Sequence, residues 1–164
     1  MAEKILRNPE LLPCLLELAL EENNTTGSRA CWILEFVVKD TPDLLYPHLD
    51  TFTHGLHRVS PESSVRPLAK ICEMLLTSYY NKRKGNEKPP LTSRHKAAMT
   101  EACFDWLIGA GKVAPKAYSM KALLLLGRDL AWVHPQLKGV LEQNYHRGSP
   151  AYQARARQIL KELA

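Results

Sequence analysis

The chain has 164 residues, carries 22 Lys and Arg against 17 Asp and Glu, and has a formal net charge of +5. That length is enough for one domain that buries roughly 70% of the surface its unfolded form exposes, so no disulfide or metal staple is needed to hold it. Aromatic residues make up only 7%, and with Leu and Ala abundant this balance argues against a sheet-dominated fold.

The first predicted helix begins at Asn8-Pro9, a capping residue followed by proline at the first helical position. The apolar spacing of Leu11, Leu12, Leu15, Leu16 and Leu18 to Leu20 then carries it to about Glu22. Glu17 interrupts that apolar run, acidic Glu3 and Glu10 flank it, and no small-residue cleavage site follows, so a secretory signal is not expected here. The longest later apolar run, 122–126, is far too short to cross a bilayer, which makes the cytoplasm the expected compartment. Ser28 is read as opening a second helix that carries Ala30, Cys31, Ile33, Leu34, Val37 and Val38 and stops before Thr41-Pro42.

A turn around Leu44 and Leu45 leads to Pro47, after which Leu49, Phe52, Leu56 and Val59 recur at helical intervals until Ser60-Pro61. Ser63 or Ser64 is the expected cap of the next helix, whose apolar face runs from Val65 to Leu76 and ends near Tyr79 and Tyr80, where the rings are expected to pack. Residues 81–91 are polar and basic and contain Gly85 and Pro89-Pro90, which reads as an exposed loop. Thr92 or Ser93 caps a fifth helix through Ile108, broken by Gly109 and Gly111. A sixth spans about 113–126, with Pro115 tolerated in its first turn. Beyond Leu130, a helix from Pro135 to Arg147 ends at Gly148, and Ser149-Pro150 opens the last one. The helices pair into four predicted hairpins, at about 9–40, 47–80, 92–127 and 135–163 of a single domain covering residues 1–164. The four cysteines, Cys14, Cys31, Cys72 and Cys103, lie apart within apolar helical stretches and read as reduced thiols.

The second helices of these hairpins align on Arg29, Arg66, Lys116 and Gln153, at steps of 37, 50 and 37 residues. The long step exceeds the others by about the length of the 81–91 loop. A hairpin period near 40 residues characterises HEAT and armadillo arrays, in which each pair buries its apolar face only against a neighbour. Ser64-Val65-Arg66-Pro67-Leu68-Ala69 and Val113-Ala114-Pro115-Lys116-Ala117 are similar to the second-helix pattern of that family. The chain therefore resembles a small HEAT-like repeat protein over nearly its full length. The resemblance implies an all-α fold, a right-handed α-α superhelix forming a short solenoid of about four hairpins, with second helices lining a concave groove.

On that implication Arg29, Arg66, Lys70, Lys116 and Lys121 form a basic strip that attracts a protein or acidic peptide, and the leading expectation is a non-catalytic interaction or scaffold module with no cofactor. The alternative partner is nucleic acid, gripped by the same strip and by Lys82, Arg83, Lys84, Lys88, Arg94 and Lys96 of the basic window. His48, His54 and His57, with Asp50, lack the spacing of a metal motif. Trp32, Trp106 and Trp132 sit among apolar residues and are expected to pack in the core. HEAT-like folds include alkylpurine DNA glycosylases, which pair an aspartate with a tryptophan one turn earlier. Here Phe36, Ala110 and Gln136 stand four places after the tryptophans, and Asp105 directly precedes Trp106, so that activity is a distant third reading. No nucleophile elbow, phosphate-binding glycine loop or dinucleotide fingerprint occurs.

Overall fold

The computed structural model describes residues 1–21, 25–60, 62–81 and 87–164, and among them it contains helices and no strand. A helix not expected from the sequence, α1 (Ala2–Arg7), comes first. Asn8 closes it: its side-chain amide donates to the Lys4 carbonyl at 2.9 Å instead of capping the next turn. A 3-10 turn, Pro9–Leu11, leads into α2 (Leu12–Ala19). Helix α3 (Thr25–Asp40) starts before the predicted Ser28 cap.

After α3, Pro42–His48 is a 3-10 helix and not a simple turn, and it continues into α4 (Leu49–Gly55). Helix α5 (Glu62–Tyr80) comes next; the expected helix boundary at Pro61 falls outside the described residues. The three serines read as caps tie two helices together instead. Ser28 lies inside α3, and its hydroxyl is 2.8 Å from those of both Ser63 and Ser64 in the first turn of α5.

Helix α6 (Ser93–Ile108) is capped by Thr92, whose hydroxyl accepts from the His95 amide while the His95 ring accepts from the Thr92 amide. This is a capping box with histidine in the place usually held by Glu or Gln. Helix α7 (Val113–Leu126) has the predicted bounds, and α8 (Val133–Asn144) begins two residues before Pro135. Ser149 caps α9 (Pro150–Leu163) by accepting from the Tyr152 amide at 3.2 Å.

Helix α3 packs against α5, α5 against α7, and α7 against α9, so the second helices lie side by side. Helix α2 covers α3, α4 lies on α6, and α6 and α8 both lie on α7. Composition explains the central place of α7: Ala122 and Leu123 to Leu126 are buried in succession, which suits a helix covered on several sides. On α5 the buried set Val65, Leu68, Ala69, Ile71, Cys72, Leu75 and Leu76 takes most of the circumference. It leaves a narrow stripe of Arg66, Lys70, Met74 and Thr77 partly open to solvent. One continuous apolar cluster runs from Ile5 to Ile159.

Candidate functional site

On α3, Arg29, Trp32 and Phe36 follow at intervals of three and four residues and so share one stripe. Cys31, Leu34 and Val38 take the buried side, which turns that stripe outward and leaves Trp32 47% and Phe36 57% exposed. The expectation of core tryptophans is therefore corrected at Trp32, and also at Trp132, which is 57% exposed and stacks on Phe104 at 5.8 Å. Of the three, Trp106 is the one packed against the core. The repeat alignment also breaks here, since the places equivalent to Trp32 on the other second helices, Ala69, Ser119 and Ala156, are fully enclosed.

Between neighbouring helices, the Arg66 guanidinium of α5 lies 4.5 Å from the centre of the Trp32 ring and 5.9 Å from that of Tyr118 on α7. It also reaches Glu35 of α3 at 3.5 Å. One turn further along α5, the Lys70 ammonium stands 4.7 Å over the Tyr118 ring. Its contact with Glu73 at 3.5 Å is ionic without hydrogen-bond geometry, because that enclosed carboxylate oxygen has no hydrogen-bond partner. Lys121 continues the series toward α9, 3.8 Å from Glu162. The result is a ladder of alternating aromatic rings and cations over three adjacent second helices, with carboxylates along its edge.

No family model, curated protein or solved structure matches the chain.

The ladder brings together Arg66, Lys70 and, one turn from Tyr118, Lys121, with exposed Arg29 on the Trp32 stripe. Lys116 does not join them. It precedes Tyr118 by two residues, which places the two side chains about 160° apart around the helix. Lys116 instead lines a separate cleft of about 370 Å³ with Lys112, Arg147 and Tyr152. The single basic strip expected from repeat alignment is thus divided between two surfaces.

Of the basic window, Lys82, Arg83 and Lys84 lie outside the described residues. Lys88 and Arg94 are exposed. The Lys96 side chain is only 12% exposed and is held by Asp129 at 2.6 Å and the Tyr79 hydroxyl at 2.9 Å. Tyr80 donates to the same Asp129 carboxylate at 2.7 Å. Burial pulls the Lys96 ammonium down, but the hydrogen bonds to Asp129 and Tyr79 outweigh it and raise its pKa above the usual 10.5. The Asp129 carboxyl is held below its usual 3.8, first by Lys96 and then by Tyr80. Lys88 adds a cation 3.9 Å from the centre of the Tyr79 ring. Tyr79 and Tyr80 therefore organise cations here, beyond the packing expected of them at a helix end.

The histidine-rich segment resolves into ordinary contacts. Asp50 is 2.5 Å from His95 Nε2, and since His95 Nδ1 accepts from the Thr92 amide at 3.1 Å, Nε2 carries the proton and donates. His54 and His57 meet edge to face at 5.8 Å, and among the described residues no three His, Cys, Asp or Glu side chains converge as metal ligands would. Asp105 and Trp106 line a cleft of about 310 Å³ with His57 and Glu62, whose carboxylate accepts from the Lys112 amide at 2.6 Å. Sequence reasoning missed Phe36, Tyr118 and Glu35 as parts of the face. The i, i+4 pairing of Trp32 with Phe36 was the available signal for the first of them.

Proposed function

We propose that the chain is a short HEAT-like repeat module, a right-handed α-α superhelix of about four hairpins, whose second-helix face binds a protein partner without catalysis. The side-by-side order of α3, α5, α7 and α9 supports the architecture. One observation carries the function. Trp32 and Phe36 stand exposed beside an Arg66 guanidinium already fixed against Trp32, Tyr118 and Glu35. Exposed aromatic pairs beside an ordered arginine are the residue types that dominate binding energy in protein interfaces, and a side chain fixed in advance loses little entropy on association. The fitting partner is a segment offering apolar side chains to Trp32 and Phe36 and an acidic group to Arg29, which has no ion pair among the described residues.

Nucleic acid is the second reading, supported by the cations placed over Tyr79 and Tyr80. It ranks lower because Arg66, Lys70, Lys96 and Lys121 each face a carboxylate within 4 Å, which a phosphate must displace before it binds. Among the described residues no helix is long and apolar enough to cross a membrane, and a cytoplasmic setting is part of the proposal.

The deciding experiment compares proteins captured from native lysate by the wild type, by Trp32→Ala/Phe36→Ala and by Arg66→Glu/Lys70→Glu. Partners retained by the wild type are expected to be lost from both variants, whereas undiminished capture by both removes the second-helix face as the interface. A salt titration with short single-stranded and duplex DNA tests the second reading, since phosphate binding weakens steeply as salt rises.

A further inference from the structure

The cleft that receives Lys116 lies between the third and fourth hairpins, bordered by α6, α7, α8 and the start of α9. Lys112, Lys116 and Arg147 line it, and no Asp or Glu is among its lining residues. The Glu62 carboxylate accepts from the Lys112 backbone amide and lines the neighbouring cleft. Among the described residues, none of the three cations lies within 4.0 Å of a carboxylate oxygen. In the aromatic ladder, by contrast, Arg66, Lys70 and Lys121 each have one. Like charges facing one concavity repel, and the repulsion is relieved by an anion held between them.

We propose that this cleft binds a small phosphorylated molecule. A phosphoryl group brings up to about two negative charges and three acceptor oxygens to the three cations, whereas a carboxylate supplies one charge and two oxygens. The volume of about 370 Å³ falls at the lower end of small-molecule pockets. Beside the cations, the 62%-exposed Ile108 and the ring of Tyr152 give an apolar wall for the organic part of the ligand. Asn144 adds a neutral polar group to the rim.

The test is a titration of the isotopically labelled full chain, followed by backbone amide NMR, with inorganic phosphate, phenyl phosphate, benzoate and a short single-stranded oligonucleotide at constant ionic strength. Phenyl phosphate is expected to shift amides of residues 107–116 and 144–152, and to bind more tightly than inorganic phosphate and about tenfold or more tightly than benzoate. Lys116→Gln and Arg147→Gln are each expected to weaken it by roughly tenfold or more, the range of one charge-assisted hydrogen bond. Lys161→Gln, at the far end of α9, is expected to leave it unchanged. Arg147 lies in an exposed 3-10 turn, so its variant carries the test if Lys116→Gln loses the dispersed spectrum of a folded chain. Shifts scattered over the surface, equal binding of benzoate, unaltered binding by a folded glutamine variant, or binding by the oligonucleotide alone overturns the proposal.

Discussion

Replacing Arg66 by alanine tests whether the aromatic ladder acts as one physical unit. The Arg66 side chain is 33% exposed, so its 3.5 Å contact with Glu35 is a partly screened surface pair worth about 0.5 kcal/mol. The stacking contact with Trp32, at 4.5 Å, adds about 0.5–1 kcal/mol. Tyr118, at 5.9 Å, lies at the limit of such interactions and adds little. Removing the guanidinium also strands Glu35, whose side chain is only 17% exposed, at a cost of about 1 kcal/mol. The sum is about 2 kcal/mol, which in a chain of this length lowers Tm by roughly 4–8 °C. Thermal and urea unfolding followed by circular dichroism measure the loss. Double-mutant cycles pairing Arg66→Ala with Glu35→Gln and with Trp32→Ala are expected to give coupling energies of roughly 0.5–1 kcal/mol each. An unchanged Tm together with zero coupling in both cycles refutes the reasoning and makes the ladder a coincidence of neighbouring side chains.

A β-carbon at Gly127 collides with the His134 ring, whose Nε2 donates to the Leu124 carbonyl at 2.8 Å. Gly127→Ala is therefore expected to cost about 1–3 kcal/mol in urea unfolding, although the backbone angles at Gly127 suit any residue. Because the folded-state pKa of Asp129 is depressed below 3.8, its stabilisation is complete above that value and is lost as pH falls through the lower folded value. The stability gap between wild type and Asp129→Asn is accordingly expected to narrow between roughly pH 5 and pH 2, as read from urea midpoints. A gap that stays constant over that range contradicts the clamp. Cys14 is exposed, whereas Cys31, Cys72 and Cys103 are buried and the Cys31 thiol is pushed up to about 12, chiefly by burial and against a lowering hydrogen bond from Ser64. A thiol reagent is expected to modify Cys14 rapidly in the native chain and the other three only in denaturant.

Much of the helical framework was legible because its signals are local. Ser149-Pro150 and Thr92 cap as expected, and the apolar period places α5, α6, α7 and α9 within a few residues of their observed bounds. Where the local signal had two uses, the structure chose the other one. Asn8 closes the helix before it, and Ser28, Ser63 and Ser64 join α3 to α5, because an amide or hydroxyl satisfied by a neighbouring helix is no longer required as a cap. Helix α1 went unrecognised because in its six residues only Ile5 is buried, too little apolar period to read.

The sequence by itself determined that the chain is helical, where most helices begin and end, and which stripe of each is apolar, since these depend on residues three or four places apart. Only the tertiary structure decided which flank of each stripe a neighbour covers. That is why the place filled by enclosed Ala69 on α5 carries the exposed Trp32 on α3, and why Lys116 parts from Arg66 although the two align in the sequence. The direction of a side chain on the accessible flank is set by packing between helices far apart in sequence, and no repeat spacing encodes it.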